Sequence, residues 1–496
     1  MAQDKDGFTP EDIFVTEITH RHLEIMIQVI EMSIRKVAIE GTDRKEPVLR
    51  YRNPDHLKQL FSFDIEKKPF EGDILRLIED LITYCTKTGH PRYFYQFSAG
   101  LDMHGLLGSW LMDILNVNTF TYEGAPLFTL MEKFVINEIT SLFGYPETSG
   151  GIFCPGGSLA NGFAINLARY LKFPDVKSDG MNIGAHLIVF ISEDAHYSIH
   201  KMAALLGIGE RNVIAVKTDD FGRMDTAHLL QLIENYSQRP NYHPFMVIGT
   251  AGTTVLGTFD PIEEIAAICS KYKLWFHVDA AWGGAAIFSD KYKHHLKGIE
   301  KTDSFVWNPS KTLAVPQQCS LLCVRNGLLM KSAHSFGASY LFHDKFYGSG
   351  HDLGDTYIQC GRKPDVFKLW MLWKMKGYEG VKYHVNCLLE RAEYLTNRIK
   401  ENENFKLVCE PSYINICFWY IPEAQRGQNI GDIYQEIDKV APRVGEIMLR
   451  NGSAMINWQP LRRFPNFFRF VCCSSAINDS DCDYLLSEIQ RIAQDL

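Results

Sequence analysis

Three short stretches carry side chains that suit one another chemically. Lys311 ends the run Trp307-Asn308-Pro309-Ser310-Lys311, where an amine projects from the end of an apolar strand. Asp279 closes Trp275-Phe276-His277-Val278-Asp279, and the small residues Ala280, Ala281, Gly283 and Gly284 nearby let a flat ligand approach. Gly156-Gly157-Ser158 precedes a helical stretch. Such a turn offers backbone N–H groups and a hydroxyl to an anion, aided by the helix dipole. Taken singly, each has a plainer explanation: an N-cap turn, an N-cap aspartate, a solvated lysine. Two further stretches join them, Ser192-Glu193-Asp194-Ala195-His196-Tyr197-Ser198 and Ala251-Gly252-Thr253-Thr254. An amine, an acid, an anion-holding turn and an imidazole then fall on the strand ends of one sheet. The 32 residues from Asp279 to Lys311 fit one strand-to-strand step through a helix.

The scaffold for such a cluster is visible in the pattern. Between about residues 120 and 330, β-branched runs at 187–191, 213–216, 246–249, 274–278, 304–307 and 320–324 alternate with helix-like stretches. Among the latter are 164–171 and 261–271, which opens on Pro261 with Glu263 and Glu264 in its first turn. Apolar strands alternating with helices predict an α/β unit with a mostly parallel sheet covered on both faces. Ligands of such sheets bind outside the carboxyl ends of the strands. Beyond residue 365 the pattern changes to a helix at 366–376, strands at 405–409, 413–420 and 467–472, and a closing helix at 482–493. This is a smaller α+β unit. Residues 10–37 place Leu23, Met26, Ile27, Ile30, Ile34 and Val37 on one helical face, widened by Ile25 and Val29. That face packs either on its own chain or on another subunit. The expected division is an N-terminal helical segment at 1–90, a large domain at 91–365 and a small C-terminal domain at 366–496.

Composition narrows the function. The 496 residues are 46% hydrophobic and 22% charged, which excludes a disordered or fibrous chain and allows a large core. Lys and Arg number 51 against 59 Asp and Glu, and a net charge of -8 gives no bulk attraction to nucleic acid or anionic lipid. No uncharged apolar run approaches the ~18 residues of a membrane span. The polar start lacks the apolar stretch of a secretion signal. Twelve scattered cysteines without a C-x-x-C fit reduced thiols, so a cytoplasmic enzyme is expected. The absence of Gly-Lys, H-E-x-x-H, G-x-S-x-G and zinc-finger spacing removes P-loop, zincin, esterase and metal readings. What remains is the set that pyridoxal 5′-phosphate requires. A lysine holds it covalently, an aspartate keeps its pyridine nitrogen protonated, a helix N-terminus takes its phosphate, and a ring stacks on it.

In this order the motifs resemble the group II pyridoxal-phosphate amino-acid decarboxylases. Within that group the chain resembles the acidic-amino-acid branch, the cysteine sulfinate, glutamate and aspartate decarboxylases, from about Pro91 to the C-terminus. The resemblance is carried by Phe120-Thr121-Tyr122-Glu123, the Gly-Gly-Ser turn, residues 192–198 and 277–284, Gln318-Cys319-Ser320, Ala338-Ser339-Tyr340-Leu341-Phe342 and Gln359-Cys360-Gly361-Arg362. It implies fold type I with a seven-stranded large-domain sheet, pyridoxal phosphate as cofactor, and a homodimer with shared active sites. It also implies roles. Lys311 carries the cofactor, Asp279 faces the pyridine nitrogen and His196 stacks on the ring. Gly157, Ser158 and Asn308 serve the phosphate, Gly361 reaches the neighbouring subunit's phosphate, and Thr254 and Ala281 line the ring. Gln96 and Arg469 bind substrate carboxylate, a task for which a guanidinium fork is suited. Tyr347, in the glycine-flanked loop His343-Asp344-Lys345-Phe346-Tyr347-Gly348-Ser349-Gly350, protonates Cα after CO2 leaves.

Two positions depart from the family pattern. Ser310 stands before the lysine where His is usual, and its hydroxyl can still hydrogen-bond phosphate. Tyr95 stands where Asn is usual, and its ring shortens the pocket toward a three-carbon acid. Ser98, Asn118 and Phe120 resemble the glutamate enzymes, whereas the wording around Cys154 and Asp344-Lys345-Phe346-Tyr347 resembles the cysteine sulfinate enzyme. The expected reaction is α-decarboxylation of cysteine sulfinate to hypotaurine, of aspartate to β-alanine, or both. The alternatives are glutamate decarboxylation to γ-aminobutyrate, a catalytically weak paralogue, and an aminotransferase of the same fold.

Overall fold

The computed structural model describes residues 20–64, 72–98, 100–338, 340–342, 350–462 and 464–495. In chain order its main elements are α1 (His20–Ser33), β1 (Tyr93–Phe94), α2 (Met103–Leu115), α3 (Pro126–Leu142), β2 (Gly150–Cys154), α4 (Gly157–Lys172), β3 (His186–Ser192), β4 (Val213–Val216), β5 (Tyr242–Thr250), α5 (Ile262–Tyr272), β6 (Trp275–Asp279), β7 (Ser304–Trp307) and β8 (Ser320–Val324). The C-terminal part adds α6 (Val366–Lys400), β9 (Phe405–Leu407), β10 (Asn415–Tyr420), β11 (Met455–Leu461), β12 (Phe464–Val471) and α7 (Asp479–Ala493).

The large sheet has seven strands in the order β2-β8-β7-β6-β5-β3-β4. β4, β3, β5, β6 and β7 run parallel, and β8 and β2 complete the sheet antiparallel. Both faces are buried, as the apolar runs required. Ile188, Phe190, Val247, Phe276, Val278 and Phe305 join the core on one face. Leu187, Val189, Ile191, Met246, Ile248, Trp275 and Val306 pack on the other, against Ala160 and Ala164 of α4. The alternation along β6 therefore turns Trp275, His277 and Asp279 toward α4.

The small sheet has the order β1-β11-β12-β10-β9. Its edge strand β1 belongs by sequence to the segment expected in the large domain, yet Tyr93 and Phe94 pair in parallel with Met455 and Ile456. The strands β1, β2 and β11 were not expected. β2 opens on two glycines that read as a turn, but a Cβ at Gly151 would lie 2.5 Å from the Leu322 carbonyl oxygen, so the glycine is what lets β2 approach β8. The helix expected at 366–376 continues to Lys400 through a break at Gly377, whose φ is 64°. The closing helix begins earlier than expected, on a capping box between Asn478 and Asp481.

At the N-terminal end, residues 10–19 of the expected helix lie outside the described residues. The part that is described leaves its apolar face open, with Leu23, Met26, Ile27 and Ile30 39–54% exposed. Among the described residues no helix is long and apolar enough to cross a membrane.

Candidate active site

The cleft forms where the strand ends of the large sheet meet the small sheet. Arg469 of β12 donates from Nη1 to the carbonyl oxygen of Thr254 at 3.0 Å. Asn415 of β10 donates to the carbonyls of Thr254 and Val255, both at 3.1 Å, and accepts from Trp282 Nε1 at 2.6 Å. These bonds fix the small sheet onto the loops that follow β5 and β6.

Lys311 and Asp279 both face this cleft. Enclosure by protein pushes the Lys311 ammonium below its ordinary range, while the Asp279 carboxylate opposes that shift. Lys311 Nζ lies 5.4 Å from the centre of the Phe97 ring, and Arg469 Cζ lies 5.0 Å from the same ring. Phe97 is held edge-on against Trp282 at 4.4 Å between centroids. One aromatic ring thus neighbours both the amine and the guanidinium. Burial lowers the Arg469 pKa, and its Nε is buried with no partner.

The Gly-Gly-Ser turn is where the sequence placed it. Gly156 precedes α4 with φ 131°, a conformation that favours glycine. Gly157 and Ser158 are the first residues of the helix, so their backbone N–H groups have no intrahelical partners. A Cβ on Gly157 would lie 3.0 Å from Asn308 Nδ2 and 3.4 Å from the Ala281 Cβ. Asn308 Oδ1 is buried without a partner. A free helix terminus, an unpaired amide oxygen and a position with no room for a methyl group form a cradle beside Lys311 and Asp279. This set fits pyridoxal phosphate.

His196 is half-buried, and burial lowers its pKa. Its Nδ1 accepts from the Ser198 N–H at 3.2 Å, which leaves the ring proton on Nε2. The Ser310 hydroxyl donates to the Cys319 carbonyl at 3.0 Å. The hydroxyl's hydrogen bond in this structure is thus to the backbone of the loop before β8. Gln96 receives the Tyr93 hydroxyl on Oε1 at 3.2 Å, and Tyr95 packs edge-on to Tyr93. Ser98 follows on the same segment, half-buried.

Three further expected residues lie on two segments that meet at the Arg362 backbone. Asn118 Oδ1 accepts from the backbone of Phe120 at 3.2 Å and of Arg362 at 2.9 Å, so it braces the Arg362 segment. The Phe120 ring stacks on Phe342 at 5.5 Å and fills the space over Gly354. Gly361 is exposed, on a cavity of about 510 Å³ also lined by Cys154, Pro155 and Arg362. Tyr347 lies outside the described residues.

Sequence reasoning missed Phe97, Asn161, His277 and Cys473. Asn161 lies four residues after Gly157, one helical turn on, and donates to Asp279 Oδ2 at 2.7 Å. His277 lies two residues before Asp279 on the same strand face and contacts Asn161 Oδ1 at 3.0 Å. Those spacings of four and two were the available signals. Cys473 is fully buried near Lys311 and Arg469, and burial raises its thiol pKa.

The fold and this constellation define a fold type I pyridoxal-phosphate enzyme. Residues 54–421 match the pyridoxal-dependent decarboxylase conserved domain, and the chain belongs to that family. It is a carboxy-lyase whose cofactor is pyridoxal phosphate. The chain is 43% identical over 476 residues to acidic amino acid decarboxylase GADL1 of Xenopus tropicalis, covering 94% of this chain and 92% of that protein. It is 43% identical over 472 residues to human cysteine sulfinic acid decarboxylase, covering 94% of each. The crystal structure of mouse CSAD superposes with a TM-score of 0.92 at 40% identity, covering 96% of this chain and 99% of that one.

Proposed function

We propose that this enzyme removes the α-carboxylate of a small acidic amino acid, with cysteine sulfinate and aspartate as preferred substrates. The observation that carries the acidic specificity is Arg469. Its guanidinium is buried near the same Phe97 ring as Lys311, and its Nε has no partner among the described residues. A buried, unpaired donor on a cation costs stability unless an anion meets it. The names of the relatives, an acidic amino acid decarboxylase and a cysteine sulfinic acid decarboxylase, support the same reading.

Pyridoxal phosphate held in the cradle would supply an electron sink for the pair left at Cα on decarboxylation. The chain's own residues do the rest. Lys311 would hold the cofactor through its amine, and Asp279 would pair with the pyridine nitrogen. His196, Thr254 and Ala281 would line the ring, and Gly157, Ser158 and Asn308 would hold the phosphate. Arg469, with Gln96 and Ser98, receives the substrate's acid groups. Tyr347 delivers the proton to Cα. Tyr95 shortens the pocket, and because one methylene is worth only ~1–3 kcal/mol, more than one acid is turned over.

The enzyme works as a homodimer in this reading. The apolar face of α1, left open among the described residues, supports it, as does the resemblance that gives Gly361 to the neighbouring subunit's phosphate. Sedimentation equilibrium tests this, with twice the chain mass as the expected result.

The experiment that tests the reaction is CO2 release from cysteine sulfinate, aspartate and glutamate in parallel, with Lys311→Ala as blank. Turnover of either three-carbon acid above glutamate supports the reading. Preferred turnover of glutamate would mean that Ser98, Asn118 and Phe120 set specificity rather than Tyr95. Cofactor uptake with no CO2 from any of the three would favour a non-catalytic paralogue.

A further inference from the structure

A continuous hydrogen-bonded chain runs from Asp279 into the interior between β6, β7 and α4. Asn161 Nδ2 lies 2.7 Å from Asp279 Oδ2, and Asn161 Oδ1 lies 3.0 Å from His277 Nε2. His277 Nδ1 lies 2.8 Å from Ser304 Oγ, which lies 2.9 Å from Trp275 Nε1. Register accounts for the meeting, since His277 pairs directly with Ser304 across β6 and β7. Asn161, His277 and Ser304 are at most 1% exposed, so water does not substitute for any of them.

The chemistry of each member leaves one direction for the protons. A carboxylate at Asp279 offers only acceptors, so Asn161 must present its amide N–H to it and its oxygen to His277. His277 Nε2 must then carry a hydrogen. Burial pushes the His277 pKa down to about 4, so the ring is neutral and Nδ1 is bare. Ser304 must donate to Nδ1, and the indole of Trp275, a donor only, completes the series by donating to Ser304. The second Asn161 amide hydrogen goes to Ser198 Oγ at 3.3 Å. The other carboxylate oxygen, Asp279 Oδ1, accepts from the Ala281 N–H at 3.1 Å. Reversing any one member would set two acceptors or two donors face to face in a dry interior, which is costly.

We infer that Asn161 and His277 are positioning residues for the cofactor, the core of a one-way donor chain from Trp275 that holds Asp279 as an oriented hydrogen-bond acceptor for the pyridine nitrogen. The inference rests on the reading that Asp279 faces that nitrogen. Together the two donors to Asp279, the Asn161 amide and the Ala281 N–H, fix the plane of the group, so the remaining lone pairs point in set directions. A polar chain of this length buried between sheet and helix adds no stability that apolar side chains could not supply. Its end on Asp279 gives it a function.

The test compares two cofactors on the apoenzyme: pyridoxal 5′-phosphate and its 1-deaza analogue, in which CH replaces the ring nitrogen. Affinities are read by quenching of tryptophan fluorescence, and the folding of each apoprotein is checked by its melting temperature. The wild type is expected to prefer pyridoxal phosphate. In Asn161→Leu and His277→Phe that preference falls about 10-fold, the scale of one hydrogen bond to a charged group. Affinity for the analogue stays within about twofold in each, since it makes no bond to lose. Equal loss of affinity for both cofactors would show a merely structural role and overturn the inference. Ser304→Ala removes only a hydroxyl, and it is expected to lower the preference about threefold. If the larger variants fail to fold, an unchanged preference in Ser304→Ala overturns the chain. A wild type without preference overturns both this inference and the Asp279 reading. A preference lost in Asp279→Asn but retained in Asn161→Leu and Ser304→Ala overturns the inference alone.

Discussion

Arg469 and Thr254 join the two sheets by a single bond, Nη1 to carbonyl oxygen at 3.0 Å, and this bond points the rest of the guanidinium into the cleft. Lysine at this position would keep the charge but lose the planar fork, with its free Nε and its bond to Thr254. Arg469→Lys is expected to lower kcat/KM for the preferred acid ~10–100-fold, the range of one charge-assisted hydrogen bond. Most of the loss should appear in KM. Steady-state CO2 release measures it, and an unchanged KM would remove Arg469 from the substrate site.

Phe97 neighbours both cations of the cleft. Its ring lies 5.0 Å from Arg469 Cζ and is braced by Trp282. Phe97→Leu keeps the bulk and loses the ring face, worth about 1–2 kcal/mol to a partly desolvated guanidinium. KM for the acidic substrate should rise about 5–30-fold on that scale, with kcat less affected. A fall in kcat alone would place Phe97 against the reacting atoms instead.

The cradle makes a steric prediction. A methyl group on Gly157 would press on Asn308 Nδ2 at 3.0 Å, with the Ala281 Cβ at 3.4 Å behind it. Overfilling a packed site costs about 1–3 kcal/mol. Gly157→Ala should therefore weaken pyridoxal phosphate binding ~10–100-fold and leave the apoprotein's melting temperature within a few degrees. An equal drop in the apo and holo melting temperatures would mean that the strain lies in the fold and not in the cradle.

How much of this was legible depends on the scale of the signal. The sheet was readable because each central strand is apolar on both faces, and the six strands expected there agree with β3 to β8 to within a few residues. β1 was not, because two residues carry no periodicity and Tyr93 finds its partner, Met455 of β11, 362 residues away. Lys311, Asp279 and the Gly-Gly-Ser turn were readable because strand ends and a helix start mark them locally. The acceptor of the Ser310 hydroxyl, the Cys319 carbonyl, was not readable, because it is set by a loop that no spacing rule describes. Asn118 and Phe120 were assigned by resemblance alone, and resemblance does not say which copy of the chain they serve.

His277 gives a pH prediction whose sign can be worked out. Its folded pKa of about 4 lies below the ordinary histidine value of ~6.5, so between these values the unfolded chain binds a proton that the folded chain does not. Stability then rises with pH across that window and is lost as the pH falls from about 6.5 toward 4. The gap corresponds to about 3 kcal/mol in all. Urea unfolding of the apoprotein at pH 7.0 and 5.0 (chosen to bracket most of the window, about 2 units) should show a smaller loss in His277→Gln than in the wild type. An identical loss in both would mean that the imidazole is protonated in the fold and that the donor series cannot run as drawn.

The last prediction concerns the buried pair behind Gly361. Arg362 Nη2 and Glu132 Oε1 lie 2.5 Å apart with side chains 4% and 1% exposed, and the same Oε1 accepts from the Phe153 N–H at 2.9 Å. Glu132 Oε2 and Arg362 Nη1 are buried without partners, so the pair is satisfied only in part. Taking two charges out of water is costly, and such a pair adds little net stability over apolar packing. Breaking it is another matter, because the survivor is a buried charge without compensation. Glu132→Gln should destabilise the fold by about 3–5 kcal/mol, and Glu132→Leu combined with Arg362→Met should recover much of that. Urea midpoints at constant slope measure both. Because the Arg362 backbone N–H also donates to Asn118 Oδ1, the single variant should disturb the Gly361 segment, and with it cofactor affinity, more than the double variant does. If the double variant is the less stable of the two, the pair is a true stabiliser, and the cost of desolvation has been overestimated at this site.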